Sequence, residues 1–127
     1  MSDLLFRLAF LIDTLGNALD LYDSIEWWDD INHFGNWILL SAAFAALGWP
    51  RDASRLARIA LGVEFGAVAA ILWELMEYVT FIPGSPEAAT AYRDTLGDLG
   101  DLGLGLLGSV VGASLAAWFV DRSRPQP

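Results

Sequence analysis

Three long apolar runs constrain this chain more than anything else in it. Residues 31–49, 56–82 and 94–120 are each dominated by Leu, Ala, Ile, Val, Phe and Gly. A helix rises about 1.5 Å per residue, so about 20 residues cross a hydrocarbon core of ~30 Å. All three runs reach. Hydrophobic residues make up 55% of the 127, and they are gathered into blocks where a soluble domain disperses them. A fourth segment, residues 4–21, is shorter and holds Asp13, Asn17 and Asp20. These fall at i, i+4 and i+7, one stripe of a helix. The expectation is a further span with that stripe turned toward a bundle; a helix lying in the interface is the alternative. The pattern predicts an all-α integral membrane helical bundle, one domain over residues 1–127, with three to four transmembrane helices at about 4–21, 31–49, 56–82 and 94–120.

The connections are short. Gly48-Trp49-Pro50-Arg51-Asp52 reads as a turn, with Trp49 suited to a membrane interface. Pro83-Gly84-Ser85-Pro86 ends a helix. Ser85-Pro86-Glu87 reads as an N-cap, a first-turn Pro and an early acid, predicting a short surface helix over 86–93. Every basic side chain is Arg. Arg51, Arg55 and Arg58 flank one loop, Arg122 and Arg124 follow the last run, and Arg7 opens the first. The positive-inside rule puts these six in the cytoplasm, hence both termini. Arg93 and the acidic stretch 20–30 fall outside. The N-terminal run is broken by Asp13 and Asn17 and no small-residue cleavage site follows, so no cleavable leader is expected.

Several functions are excluded by composition. A net charge of −9 offers no basic footprint for nucleic acid. There is no Cys, so disulfides, thiolate metal sites and Cys nucleophiles are ruled out. There is no Lys to form a Schiff base.

With four spans the acids converge in depth. Asp29 and His33 are i, i+4 where the second span enters; His33 is the one histidine of the chain. Glu74 and Glu77 are i, i+3 near the end of the third. Asp94, Asp98 and Asp101 are i, i+4, i+7 at the start of the fourth. Each set occupies one helix face, and all lie in the outer leaflet. Carboxylates packed together cannot all ionise without a counter-charge, and the arginines are mostly at the other end. A divalent metal supplies that charge. Carboxylates with one imidazole suit Mg²⁺, Mn²⁺, Zn²⁺ or Fe²⁺, and helix bundles build such sites from inward-facing acids. The expected metal ligands are Asp29, His33, Glu74, Glu77, Asp94 and Asp98. A di-iron oxygenase is a poor match, because its paired Glu-x-x-His motifs are missing. A hydrolytic site would use a metal-activated water on a lipid or envelope substrate. A proton- or cation-coupled transporter or channel subunit, with the acids as relay, is the second reading. A non-catalytic membrane scaffold is the third.

The stretches LYDSIEWWDDINHFGNW, LWELMEY and DTLGDLGDLGLGLLGSVVGA together resemble uncharacterised bacterial inner-membrane proteins of the YjdF type, loosely similar to VanZ-like proteins. In that type an aromatic-Asp-x-x-x-His motif opens one helix, a Glu-x-x-Glu pair ends the next, and an Asp-x-x-x-Asp pair opens a Gly-rich third. Trp28-Asp29 with His33, Glu74 with Glu77, and Asp94 with Asp98 match in turn. Asp101 stands where the pattern leads one to expect a neutral amide. The resemblance covers about residues 15–115. It implies an inner-membrane location and a link to the cell envelope, and no established reaction.

Plainer roles compete for the same residues. Asp29, Asp30 and Asp94 suit N-caps, Asp30 above all. His33 suits a neutral core imidazole. Asp13, Asn17 and Asp20 suit packing hydrogen bonds. Glu64, in the inner half of its helix, suits pairing with a cytoplasmic-side Arg or with a neighbouring copy in a homo-oligomer or larger membrane complex. The glycines 97, 100, 103, 105, 108 and 112 read mainly as close helix packing, Gly108-x-x-x-Gly112 being a small-xxx-small step. Most tryptophans suit interfacial belts, and Trp73 suits a wall of the site.

Overall fold

The computed structural model describes residues 1–47, 53–81 and 91–123, without the side chains of residues 23, 77–81 and 91–98. The elements among the described residues are all helices, with no strand: α1 (Ser2–Ala18), a single turn α2 (Leu21–Ser24), α3 (Trp28–Ala45), α4 (Arg55–Phe81) and α5 (Ala91–Arg122). Two of the helices, α4 over Arg55–Met76 and α5 over Leu99–Arg122, are long and apolar enough to cross a membrane. The shorter α1 and α3 carry more polar residues. The turn expected at 48–52 and the cap at 85–87 lie outside the described residues. Residues 91–93, expected in a surface helix, are the first turn of α5.

Helix ends follow local chemistry. The hydroxyl of Ser54, just before α4, accepts the N–H of Ala57 at 3.1 Å, a side-chain N-cap. At α3 the N-cap is Trp27, with no side-chain cap bond, and Asp29 and Asp30 lie in the first turn. They are therefore not caps; as first-turn anions they complement the positive end of the helix dipole. The α1–α2 break falls on Asp20, which adopts φ 58°, ψ 35°. A short polar side chain tolerates this left-handed conformation better than most. The expected stripe on the first helix is corrected accordingly. Asp13 turns inward; Asn17, though exposed, lines the same side cavity and bonds back to the carbonyl of Asp13 at 3.0 Å, and exposed Asp20 has left the helix.

Small residues make the interior. Ala43, Ala113, Ala117, Ser41 and Ser109 are essentially fully buried, while Leu4, Phe10, Ile71, Leu72, Leu107 and Phe119 are exposed. This inverts the arrangement of a water-soluble core and matches helices that bury small residues and present large apolar ones to lipid. The tightest approach is between α3 and α5. A Cβ at Gly108 would overlap the carbonyl oxygen of Phe34, and one at Gly112 that of Ile38. The helix α4 closes on the pair through Gly66, whose Cβ would collide with Ser109 and Ser41. The helix α1 packs on α3. Its Leu5, with Ile59 and Val63 of α4, seals a cluster of Ala42, Ala45, Ala113 and Ala116.

Successive long helices run in alternate directions, so like residues collect at like ends. At one end Arg58, 2% exposed, donates to the Asp121 carboxylate at 3.3 Å and to the Ala53 carbonyl at 2.6 Å. Arg55 lies 3.9 Å from the same Asp121, and the guanidinium of Arg122 stacks 3.9 Å above Trp118. Asp121 thus takes the arginine partnership expected of Glu64, which is exposed midway along α4. The acids and His33 occupy the opposite end.

Candidate functional site

The first turns of α3 bring Asp29, Asn32, His33 and Asn36 onto adjoining faces, because residues three and four apart are neighbours on a helix. His33 is buried and has acceptors at both ring nitrogens. Its Nδ1 lies 3.2 Å from the Asp29 carbonyl, 3.3 Å from Asp29 Oδ1 and 3.9 Å from Asp101 Oδ1. Its Nε2 lies 3.1 Å from Glu74 Oε1. Glu74 and Asp101 are themselves largely buried, with side chains 11% and 14% exposed, whereas that of Asp29 is half exposed. A neutral imidazole donates to one side of this arrangement only; an imidazolium donates to both.

Of the six expected ligands, the structure brings Asp29, His33 and Glu74 together. The side chains of Glu77, Asp94 and Asp98 lie outside the described residues. Asp101 shares the spacing of Asp94 and Asp98 but is absent from the expected ligands because the resemblance leads to a neutral amide there, yet it joins the cluster. Asp29, His33 and Asp101 each offer one ligand atom, and these atoms all lie within 4.8 Å of one another. Ligands sharing one small divalent cation at about 2.0–2.6 Å sit roughly 3–5 Å apart, a range that includes these separations. Glu74, on the opposite ring nitrogen, is placed as the partner that fixes the ring and its tautomer, the usual companion of a metal-bound histidine. The sequence held one signal for Asp101. It falls on the stripe Asp101, Gly105, Gly108, Gly112, spaced i, i+4, i+7, i+11, and it is this stripe that closes on α3.

A second polar group adjoins the first. Tyr22 of α2 donates to Asp13 Oδ1 of α1 at 2.8 Å. Asn32 donates to the Tyr22 hydroxyl, and Asn36 donates to Asn32 Oδ1 at 3.0 Å. Burial pushes the Tyr22 phenol above its usual range and the Asp13 carboxylate adds to this, so Tyr22 remains a proton donor. Sequence reading missed Tyr22, Asn32 and Asn36. The signal for the two asparagines was their Asn-x-x-x-Asn spacing at the mouth of an apolar run, where buried amides require partners.

The family model described as "Predicted membrane protein (DUF2238)" matches residues 1–125 of this chain. No curated protein and no solved structure matches it.

Proposed function

This chain belongs to the DUF2238 family of predicted membrane proteins, and from that premise we propose that it holds a divalent cation in a pocket facing the extracytoplasmic side. Its contact with the lipid bilayer follows from the family. Within it we place the chain beside the YjdF-type, loosely VanZ-like proteins, as a multi-pass protein of the bacterial inner membrane with both termini cytoplasmic. The collection of Arg55, Arg58 and Arg122 away from the Asp29–His33–Asp101 cluster supports that orientation.

One observation carries the reading. Donor atoms of Asp29, His33 and Asp101, from two helices, lie within 4.8 Å of one another at the acidic end of the bundle. Carboxylates crowded there require a compensating positive charge. In this assignment Asp29, His33 and Asp101 are ligands, and Glu74 orients His33. A bound cation would supply Lewis-acid chemistry, the basis for a hydrolytic use on a lipid or envelope substrate. The relay reading is less well supported. Between the cluster and the Arg58–Asp121 pair the described interior is Trp37, Ala, Gly, Ser41 and Ser109, with no file of titratable groups.

Elemental analysis of the detergent-purified protein, beside His33→Ala and Asp101→Asn, tests this. The expected result is one Mn²⁺, Fe²⁺ or Zn²⁺ per chain in the wild type and none in either variant. Absence of metal from the wild type after incubation with Mn²⁺ and with Zn²⁺ overturns it.

A further inference from the structure

A cavity of about 610 Å³ lies between α1 and α4, with α3 as its floor. Among the described residues α1 and α4 make no close backbone approach, so the cavity is a cleft in the side of the bundle. Its lining is graded. Along α3 it runs from Asn32 through Asn36 to Trp37 and Leu40; along the antiparallel α1 it runs from Asp13 to Phe10, Ala9 and Phe6. Both helices pass from polar to apolar in the same direction over about 12 Å. Trp73 and Met76 of α4 form the opposite wall.

The polar end has a definite sign. Asp13 and Asp29 are carboxylates, and no Arg lines the cavity. The Oδ1 of Asn36, a lining residue, is buried with no hydrogen-bond donor among the described residues, and such an acceptor is costly to leave unsatisfied. An anionic head would meet two carboxylates, and the His33 imidazole at this end is already engaged by Asp29 and Glu74. A head rich in O–H or N–H groups would meet acceptors.

We propose that this cleft binds a single-chain amphiphile from the bilayer, with a hydrogen-bond-donating head of no net negative charge at Asp13 and Asn36. Its chain lies along Phe6, Phe10 and Leu40. The volume falls within the ~300–1,000 Å³ of small-molecule pockets, and entry is lateral, from the lipid side. The assignment rests on the cleft and not on the cation, although Asp29 and His33 border both.

Native mass spectrometry of the full-length chain in detergent with EDTA decides it, so that no metal takes part. The probes are monopalmitoylglycerol and its phosphorylated counterpart, palmitoyl lysophosphatidic acid. One monopalmitoylglycerol per chain is expected, at least ~10-fold tighter than the phosphorylated lipid. Leu40→Trp and Phe6→Trp, each filling the apolar end, should each weaken it at least ~10-fold, with helicity by circular dichroism showing that they fold. Asp13→Asn should narrow the preference between the two lipids. Three results overturn the proposal: no stoichiometric adduct, tighter binding of the phosphorylated lipid, or undiminished binding in every filled variant that folds. Metal loading of His33→Ala bears on the cation alone, so the two readings fail separately.

Discussion

Nε2 of His33 on α3 lies 3.1 Å from Oε1 of Glu74 on α4, both side chains being largely buried. Each is one of the other's polar partners in the interior. Removing the imidazole leaves a buried carboxylate without this donor, at a cost of about 1–3 kcal/mol. His33→Ala should therefore lower the thermal midpoint in detergent even when no metal is present. Glu74→Gln keeps an amide oxygen at the same distance and should cost under ~1 kcal/mol. A His33→Ala protein that melts like wild type would show the contact to be of no structural consequence.

The glycines divide into two groups. Gly108 and Gly112 abut the backbone of Phe34 and Ile38, whereas a Cβ at Gly100 or Gly103 meets nothing within 4 Å. Gly112→Val should separate α5 from α3, costing at least about 1–3 kcal/mol of overpacking and broadening the size-exclusion peak. Gly103→Ala should be neutral or stabilise by up to ~1 kcal/mol, through better helix propensity.

Arg58 is buried against Asp121 and the Ala53 carbonyl. Arg58→Ala leaves Asp121 with the more distant Arg55 at 3.9 Å, and breaking a buried pair costs about 3–5 kcal/mol. Asp121 is one-third exposed, which puts the expected loss at the lower end, about 3 kcal/mol. Arg58→Lys should recover part of it. Denaturant titration of the three proteins in the same detergent measures this.

Tyr22 gives a pH signature. Its folded-state pKa is raised above the ordinary 10.0, by burial first and by Asp13 second. Between the unfolded and folded values the unfolded chain has lost a proton that the native one keeps. Stability is then constant below pH 10 from this group and falls as pH rises above it. Melting points from pH 8 to 11 should show a steeper decline for wild type than for Tyr22→Phe. Parallel curves would mean that the phenol is not held as described.

The levels of the functional groups could be read from helix arithmetic, while their rotations could not. Counting residues from the ends of the apolar runs put His33 and Glu74 at one depth, and they touch. Which of Asp94, Asp98 and Asp101 faces His33 depends on the roll of α5 about its axis. That roll is set by where Gly108 and Gly112 meet Phe34 and Ile38. Spacing alone treats the three acids alike, and the YjdF-type pattern turned attention from Asp101. The first helix failed for another reason. An i, i+4, i+7 stripe presumes an unbroken helix, and the chain leaves helical geometry at Asp20. Tyr22 enters the network because of that break, so no periodicity within one helix could have included it.

The interior of Ala, Gly and Ser has a consequence for how change is tolerated. In a water-soluble protein the bulky core residues carry the fold's specification and the surface drifts. Here most of the large apolar residues, Trp37 apart, face outward, where one lipid-facing Leu serves as well as an Ile or a Phe. The specification rests on the smallest side chains, whose defining property is the space they decline to occupy. A saturation-mutagenesis map of this protein should accordingly read as the negative of the familiar one. Large apolar positions would be interchangeable, and single added methyl groups at Gly66, Gly108 or Gly112 would act as the severe lesions.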